Sequence, residues 1–313
     1  MRGLAALYVV AYHGRHLGLR PWAWLDHGWM AVDFFFVLSG VVMAYRYAET
    51  LDGFVRARFA RLYPLHALAL LVCAGVQWSR IIRGLPEVIY QHSDLYHFAL
   101  QALLLNSGGF EEGWSYNSPS WSVAVEIVSY VLFATFASRW SGKRFAWASA
   151  LAAVGALAVY RFGLNLPILN PQVARGVLGF FVGALTLQVG SKWPGASLWA
   201  FGALCLLIAV GNAIGAGFVG GTTLPFLLCI FPLLVATGIG PMAWLFSFKP
   251  IALLGDWSYA LYMSHVPLQM VALACGWAPT FPVYILSVLA VSVALHYAFE
   301  RPLRAWLRDV PIR

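Results

Sequence analysis

The stretch GWMAVDFFFVLSGVVMAYR, residues 28–46, carries one acidic side chain, Asp33, and no further charge until its terminal Arg46. At 1.5 Å per residue a helix of this length is about 28 Å long, close to a bilayer hydrocarbon core of about 30 Å. As a soluble helix it has no polar face to turn towards water. Such a run reads as a transmembrane helix.

Nine more apolar runs read the same way: residues 3–20, 62–79, 119–138, 145–160, 174–190, 197–213, 219–238, 250–275 and 281–299. Residues 95–106 are apolar but too short to span, so they are read as interfacial or re-entrant. The composition agrees. Of 313 residues 61% are hydrophobic and only 10% charged, against about 25% charge in soluble domains. Mean hydropathy is +0.75. The expectation is an all-α, polytopic integral membrane protein of about ten helices, forming one domain over 1–313. Cys73, Cys205, Cys229 and Cys275 stand singly, with no CxxC spacing, so they read as small buried hydrophobes rather than a metal or disulfide framework. The first run begins with a basic residue, but His13, Arg15 and His16 interrupt it and no A-x-A site follows; it reads as a retained span.

Cationic residues orient the chain. With the N-terminus inside, fourteen fall on the cytoplasmic side, among them Arg2, Arg46, Arg56, Arg58, Arg61 and the C-terminal arginines. Six, including Arg15 and Arg175, fall opposite. The positive-inside rule therefore places both termini in the cytoplasm, in keeping with an even number of spans. The net charge of +8 reads as a topology signal, and nucleic-acid binding is excluded for want of any basic soluble module.

Ionisable groups inside spans are costly and mark cavities or partners. Four stand out. By helical rise, Asp33 lies about 7 Å from the outer surface, His13 and Glu126 about 10 Å, and His265 about 15 Å. Their agreement in depth suggests one polar cavity in the outer half of the bilayer. Arg2 and His13, eleven residues apart, fall within about 20° of one helix face and about 16 Å apart along it. That line suits an elongated ligand with an anionic head and a reactive tail. Ala6 and Val9 share the face and are expected to line an open channel, with Leu4 turned away. Arg58 and Arg61, in RARFARLYP between the second and third spans, are an i,i+3 pair whose planar guanidinium forks suit phosphate.

The ordered series RGLAALYVVAYH, DFFFVLSG, RFARLYP, SPSWSVAVE, GDWSYALYMSHVPL and FERPLR resembles the membrane acyltransferase-3 family across essentially the whole chain. These bacterial enzymes acylate sugars and other hydroxyl-bearing compounds. The resemblance matches Arg2 and His13 to the family's arginine–ten residues–histidine signature, and Arg58 and Arg61 to its cytoplasmic arginine motif. It implies a multi-pass protein of the bacterial cytoplasmic membrane with no tightly bound cofactor. Acyl-CoA, most commonly acetyl-CoA, would be the donor substrate. The partners would be a glycan, a lipid-linked sugar or another hydroxyl acceptor, and the surrounding lipids.

The chemistry is compatible with that resemblance. A neutral imidazole near pH 7 can take the proton of an alcohol that attacks a thioester, so His13 is expected to be the base. Asp33 or Glu126 would orient it, with Glu126 preferred on depth. Trp121, Ser258, Tyr262 and His265 are candidates for acceptor binding. Direct transfer needs fewer groups than a covalent acyl intermediate. The rival classes are a secondary transporter, for which no paired broken helices are apparent, and a structural subunit.

Overall fold

The computed structural model describes residues 1–47, 50–139, 144–162, 172–190, 230–232, 234–235, 244 and 247–309. Among these no strand occurs. Four helical stretches are long and apolar enough to cross a membrane: Ala23–Arg46, Phe54–Ile82, Ser118–Phe136 and Phe281–Leu307. Shorter apolar helices cover Ala146–Val159 and Gln172–Thr186. The run at 197–213, and most of that at 219–238, lies outside the described residues.

Among the described residues the α-helices are, in chain order, α1 (Arg2–His13), α2 (Ala31–Arg46), α3 (Phe54–Ile82), α4 (Leu95–Ala102), α5 (Trp121–Arg139), α6 (Arg144–Phe162), α7 (Gln172–Gly190), α8 (Lys249–Asp256), α9 (Ser258–Ala274), α10 (Phe281–Leu295) and α11 (Arg301–Asp309). They form two compact units that interleave along the sequence. One comprises residues 29–51 and 125–252; the other comprises 2–28, 52–124 and 253–313.

In the first unit α2 and α7 meet through glycine. A Cβ built on Gly40 would stand 1.8 Å from the carbonyl oxygen of Phe180, and one on Gly183 would stand 2.0 Å from that of Val37. Two helix backbones come this close only where side chains are absent, the usual device for helix association in lipid. α6 packs on the same α7.

The second unit is built round α9. It packs against α1, α3 and α10, and twelve of its 17 residues are buried. Its polar side chains are tied off or enclosed: Ser264 Oγ lies 3.0 Å from Ser292 Oγ of α10, and Tyr259 OH donates to the Leu62 carbonyl of α3 at 2.5 Å. The connection after α3 is anchored by Gln77, whose amide donates to the carbonyls of Val88 and Tyr90 and accepts from the Val88 N–H. The buried Tyr116 donates to the Asp94 carbonyl.

Several boundaries differ from the sequence reading. The first run is helical only to His13, then turns through a 3-10 stretch at Gly14–Leu17. The third starts eight residues earlier than expected, at Phe54, so Arg56, Arg58 and Arg61 stand in the first turns of a 29-residue helix rather than in a loop. The run at 250–275 is two helices broken at Trp257. The stretch at 95–106 holds the eight-residue α4, capped by Asp94 through the His97 N–H.

Candidate active site

The end of α1 carries a group of polar rings: His13 lies beside Tyr12, His16 and His265. A helix leaves its last carbonyls unpaired, and here two of them are taken by side chains. Tyr284 of α10 donates its hydroxyl to the Val10 carbonyl at 3.0 Å. Gln269 of α9 donates to the His13 carbonyl at 2.8 Å and to the Tyr284 hydroxyl at 2.7 Å. Tyr284 and Gln269 are fully buried. The backbone bearing His13 is therefore fixed by two neighbouring helices.

The His13 ring is fixed as well. Its Nδ1 lies 2.9 Å from the carbonyl oxygen of Val9. A carbonyl can only accept, so the neutral ring carries its proton on Nδ1 and its lone pair on Nε2. Among the described residues Nε2 makes no hydrogen bond. The His265 ring centroid is 4.7 Å away, and that of His16 is 5.5 Å away. His265 is wholly buried. Its nitrogens lie near the carbonyls of Leu261 and Tyr262 without a well-formed hydrogen bond. Beyond it the Tyr262 hydroxyl donates to the Pro119 carbonyl at 2.8 Å and lies 2.7 Å from Ser122 Oγ. His16 faces the ring of Tyr90 at 5.8 Å.

The other residues singled out in the sequence are placed as follows. Arg2 Nη2 donates to the Gly255 carbonyl at 3.1 Å, and Ser258 Oγ donates to the same oxygen at 2.8 Å. Arg58 is buried and Arg61 half-buried on α3. Trp121 opens α5 and its carbonyl accepts from Ser107. Asp33 and Glu126 belong to the first unit. Asp33 Oδ1 lies 2.5 Å from Arg175 Nε, with the two side chains 1% and 3% exposed. Arg175, counted above only as a topology signal, is thus the partner of Asp33, and its guanidinium stands 5.2 Å over the Trp29 ring. Glu126 Oε1 accepts from Ser39 Oγ and Tyr130 OH, each at 2.5 Å. The orienting acceptor at His13 is a backbone oxygen, where the sequence had suggested a carboxylate.

The face of α1 expected to line a channel is packed. Ala6 and Val9 have no exposed surface, whereas Leu4 is 48% exposed. The sequence reading found the face correctly but mistook packing for an opening. It also passed over Gln269, Tyr284 and Ser122, which are uncharged and draw no attention in an apolar run, and Tyr90 in the connection after α3. One signal was available: Gln269 follows His265 by four residues, which puts both on one face of α9.

The family described as an acyltransferase domain, acyltransferase 3, matches residues 1–301. The chain belongs to the acyltransferase-3 family. It is a transferase. Among relatives, protein 2 of the picA locus in Rhizobium radiobacter is 34% identical over 49% of this chain and 88% of its own length. The acyltransferase MdmB of Streptomyces mycarofaciens is 36% identical over 34% of this chain and 27% of its own. The O-acetyltransferase OatA of Staphylococcus aureus is 24% identical over 97% of this chain. The match spans 56% of OatA, so this acyltransferase-3 chain corresponds to about half of that protein. No solved structure matches.

Proposed function

We propose that the protein transfers an acyl group, acetyl in the first instance, from cytoplasmic acyl-CoA to a hydroxyl of a sugar, glycan or related acceptor. The observation that carries this reading is the His13 ring, held through Nδ1 by the Val9 carbonyl with Nε2 unengaged. The relatives named acyltransferase and O-acetyltransferase supply the reaction class.

In the proposed reaction the His13 Nε2 lone pair takes the acceptor's hydroxyl proton as its oxygen adds to the thioester carbon. The carbon–sulfur bond breaks. The departing CoA thiolate recovers the proton from the imidazolium, leaving free CoA and an ester. No covalent acyl-enzyme is needed. Arg2, Arg58 and Arg61 take the donor's phosphates, for which guanidinium forks are suited. In this reading ten helices cross the bacterial cytoplasmic membrane with both termini inside. Trp121, Ser258, Tyr262 and His265 bind the acceptor in this reading. His265, wholly enclosed, stands behind His13.

The test is purified protein in lipid nanodiscs with radiolabelled acetyl-CoA and a panel of hydroxyl acceptors. Label appearing in an acceptor, with CoA released in step, supports the reading. CoA release indifferent to every acceptor, or solute uptake without chemistry in sealed vesicles, would count against it.

A further inference from the structure

A proline stands between the two α9 residues that meet His13. His265 sets its ring 4.7 Å from the His13 ring, and Gln269 donates to the His13 carbonyl at 2.8 Å. Pro267 lies midway between them, inside the helix. Proline has no N–H to offer the carbonyl four residues back, and its ring crowds that carbonyl. In α9 this carbonyl belongs to Met263, a residue with no exposed surface. An enclosed backbone carbonyl needs a donor from somewhere.

The donor comes from outside the helix. Asn117 Nδ2 donates to the Met263 carbonyl at 3.3 Å. A carbonyl can only accept, so it must face the nitrogen of the amide. Asn117 has no exposed surface, and its amide oxygen makes no hydrogen bond among the described residues. The polar work of this side chain is thus spent on α9.

The segment that carries Asn117 is itself held on both sides. Tyr116 is a non-glycine residue at φ +36°, a conformation that persists only where the surroundings enforce it. Its hydroxyl accepts from Trp78 Nε1 and donates to the Asp94 carbonyl, each at 3.0 Å. Past Asn117, the Pro119 carbonyl accepts from Tyr262 OH at 2.8 Å. Two successive α9 residues, Tyr262 and Met263, are therefore braced by one short, anchored stretch.

We propose that Asn117 is a positioning residue for acyl transfer: it braces α9 at the Pro267 bend and so fixes His265 and Gln269 against His13. The proposal rests on the reading above, in which His13 is the base. Without the brace α9 is free to change its bend between the two contacts, and the His13 ring and its backbone lose their common support.

The proline supplies the test. Pro267→Ala gives residue 267 an N–H for the Met263 carbonyl, which should make Asn117 dispensable. The unaltered full chain, Asn117→Leu, Pro267→Ala and the double variant are compared in nanodiscs by melting temperature and by acyl-transfer kinetics per folded molecule. Asn117→Leu is expected to lower kcat about ten-fold, within the roughly 100-fold that a 1 Å misplacement can cost, with KM for acyl-CoA little changed. Pro267→Ala alone should stay within a few-fold of the unaltered kcat. Adding Asn117→Leu to it should then cost almost nothing in kcat or melting temperature, the non-additivity expected of two residues that serve one group. An equal fall in both backgrounds overturns the proposal, as does an unchanged kcat per folded molecule in Asn117→Leu. Loss of transfer in Pro267→Ala alone overturns it too, because the bend itself would then place the rings. If Asn117→Leu does not fold, the double variant decides: folded, active protein supports the brace, and persistent unfolding refutes it. An unaltered protein that transfers no acyl group to any acceptor would end the acyl-transfer reading, and this role for Asn117 with it.

Discussion

The Nδ1 atom of His13 lies 2.9 Å from the carbonyl oxygen of Val9, one helical turn earlier in α1. In the proposed reaction this contact takes the part of the carboxylate that orients a histidine base: it selects the tautomer and holds the ring plane. It also lies in the last turn of α1, where the helix presents the negative end of its dipole. An imidazolium formed during proton transfer would gain roughly 0.3–1 kcal/mol there. Asp33 and Glu126 are engaged within the first unit, by Arg175 and by Ser39 and Tyr130 respectively.

Replacing His13 tests the base directly. His13→Ala is expected to lower transfer by about 10²–10⁴-fold, the usual contribution of a positioned base. Folding should survive, because the ring bonds only to its own helix. The measurement is single-turnover acyl transfer beside a melting curve; near-normal turnover would remove His13 as the base.

In the proposed reaction Gln269 is a positioning residue that acts through the His13 carbonyl. Gln269→Leu removes the donor to the His13 carbonyl and to Tyr284 OH, leaving two buried oxygens short of a partner. The expected cost is about 1–3 kcal/mol of stability for the stranded groups. Turnover should fall several-fold with little change in donor KM. A Michaelis constant for acyl-CoA that rises while kcat holds would place Gln269 in donor binding instead.

The residues that announced themselves in the sequence did so by cost. A histidine or carboxylate inside an apolar run is rare enough to read, and His13, Asp33, Glu126 and His265 were found that way. Their partners could not be read, because pairing depends on which helices pack together. Arg175 looked like an orientation charge, and Gln269 and Tyr284 carry no charge. Element boundaries failed where one signal masked another. The three arginines of RARFARLYP suggested a loop, yet helix α3 begins before them. The break at Trp257 follows a lone Gly255–Asp256 in an otherwise apolar run, a signal too slight to divide it.

Asp33 and Arg175 form a buried pair, so removing one partner should strand the other. Arg175→Leu is expected to cost about 3–5 kcal/mol and most of the folded yield. Asp33→Leu made together with Arg175→Leu should recover much of that loss, since two apolar groups need no partner. The readout is the monodisperse fraction after extraction, with transfer measured per folded molecule. If Asp33→Asn leaves folded yield intact and abolishes transfer, Asp33 belongs to the chemistry.

The backbone contact between α2 and α7 admits no side chain. Gly40→Leu or Gly183→Leu would drive a side chain into the facing carbonyl at Phe180 or Val37. Either is expected to destabilise the first unit beyond the 1–3 kcal/mol usual for overpacking, read as loss of folded protein. Wild-type melting behaviour in Gly40→Leu would refute so close an approach of the helices.

Ala6 decides between a packed face and an open one. It lies on the α1 face shared by Arg2 and His13 and has no exposed surface, whereas Leu4, nearly half exposed, turns elsewhere. A donor arm running along an open channel would tolerate Ala6→Gly and be blocked by Ala6→Phe with the fold intact. A packed face behaves differently. Ala6→Phe must force neighbouring side chains from their rotamers at about 1–3 kcal/mol or more, and Ala6→Gly must cost about 1 kcal/mol through helix propensity alone. Both variants are therefore expected to lower the melting temperature, with Phe the worse, while Leu4→Phe leaves it almost unchanged. Melting curves with and without CoA on the three variants settle the point. If Ala6→Phe keeps the wild-type melting temperature and loses only the stabilisation given by CoA, the face is a donor channel and the packed reading of α1 is wrong.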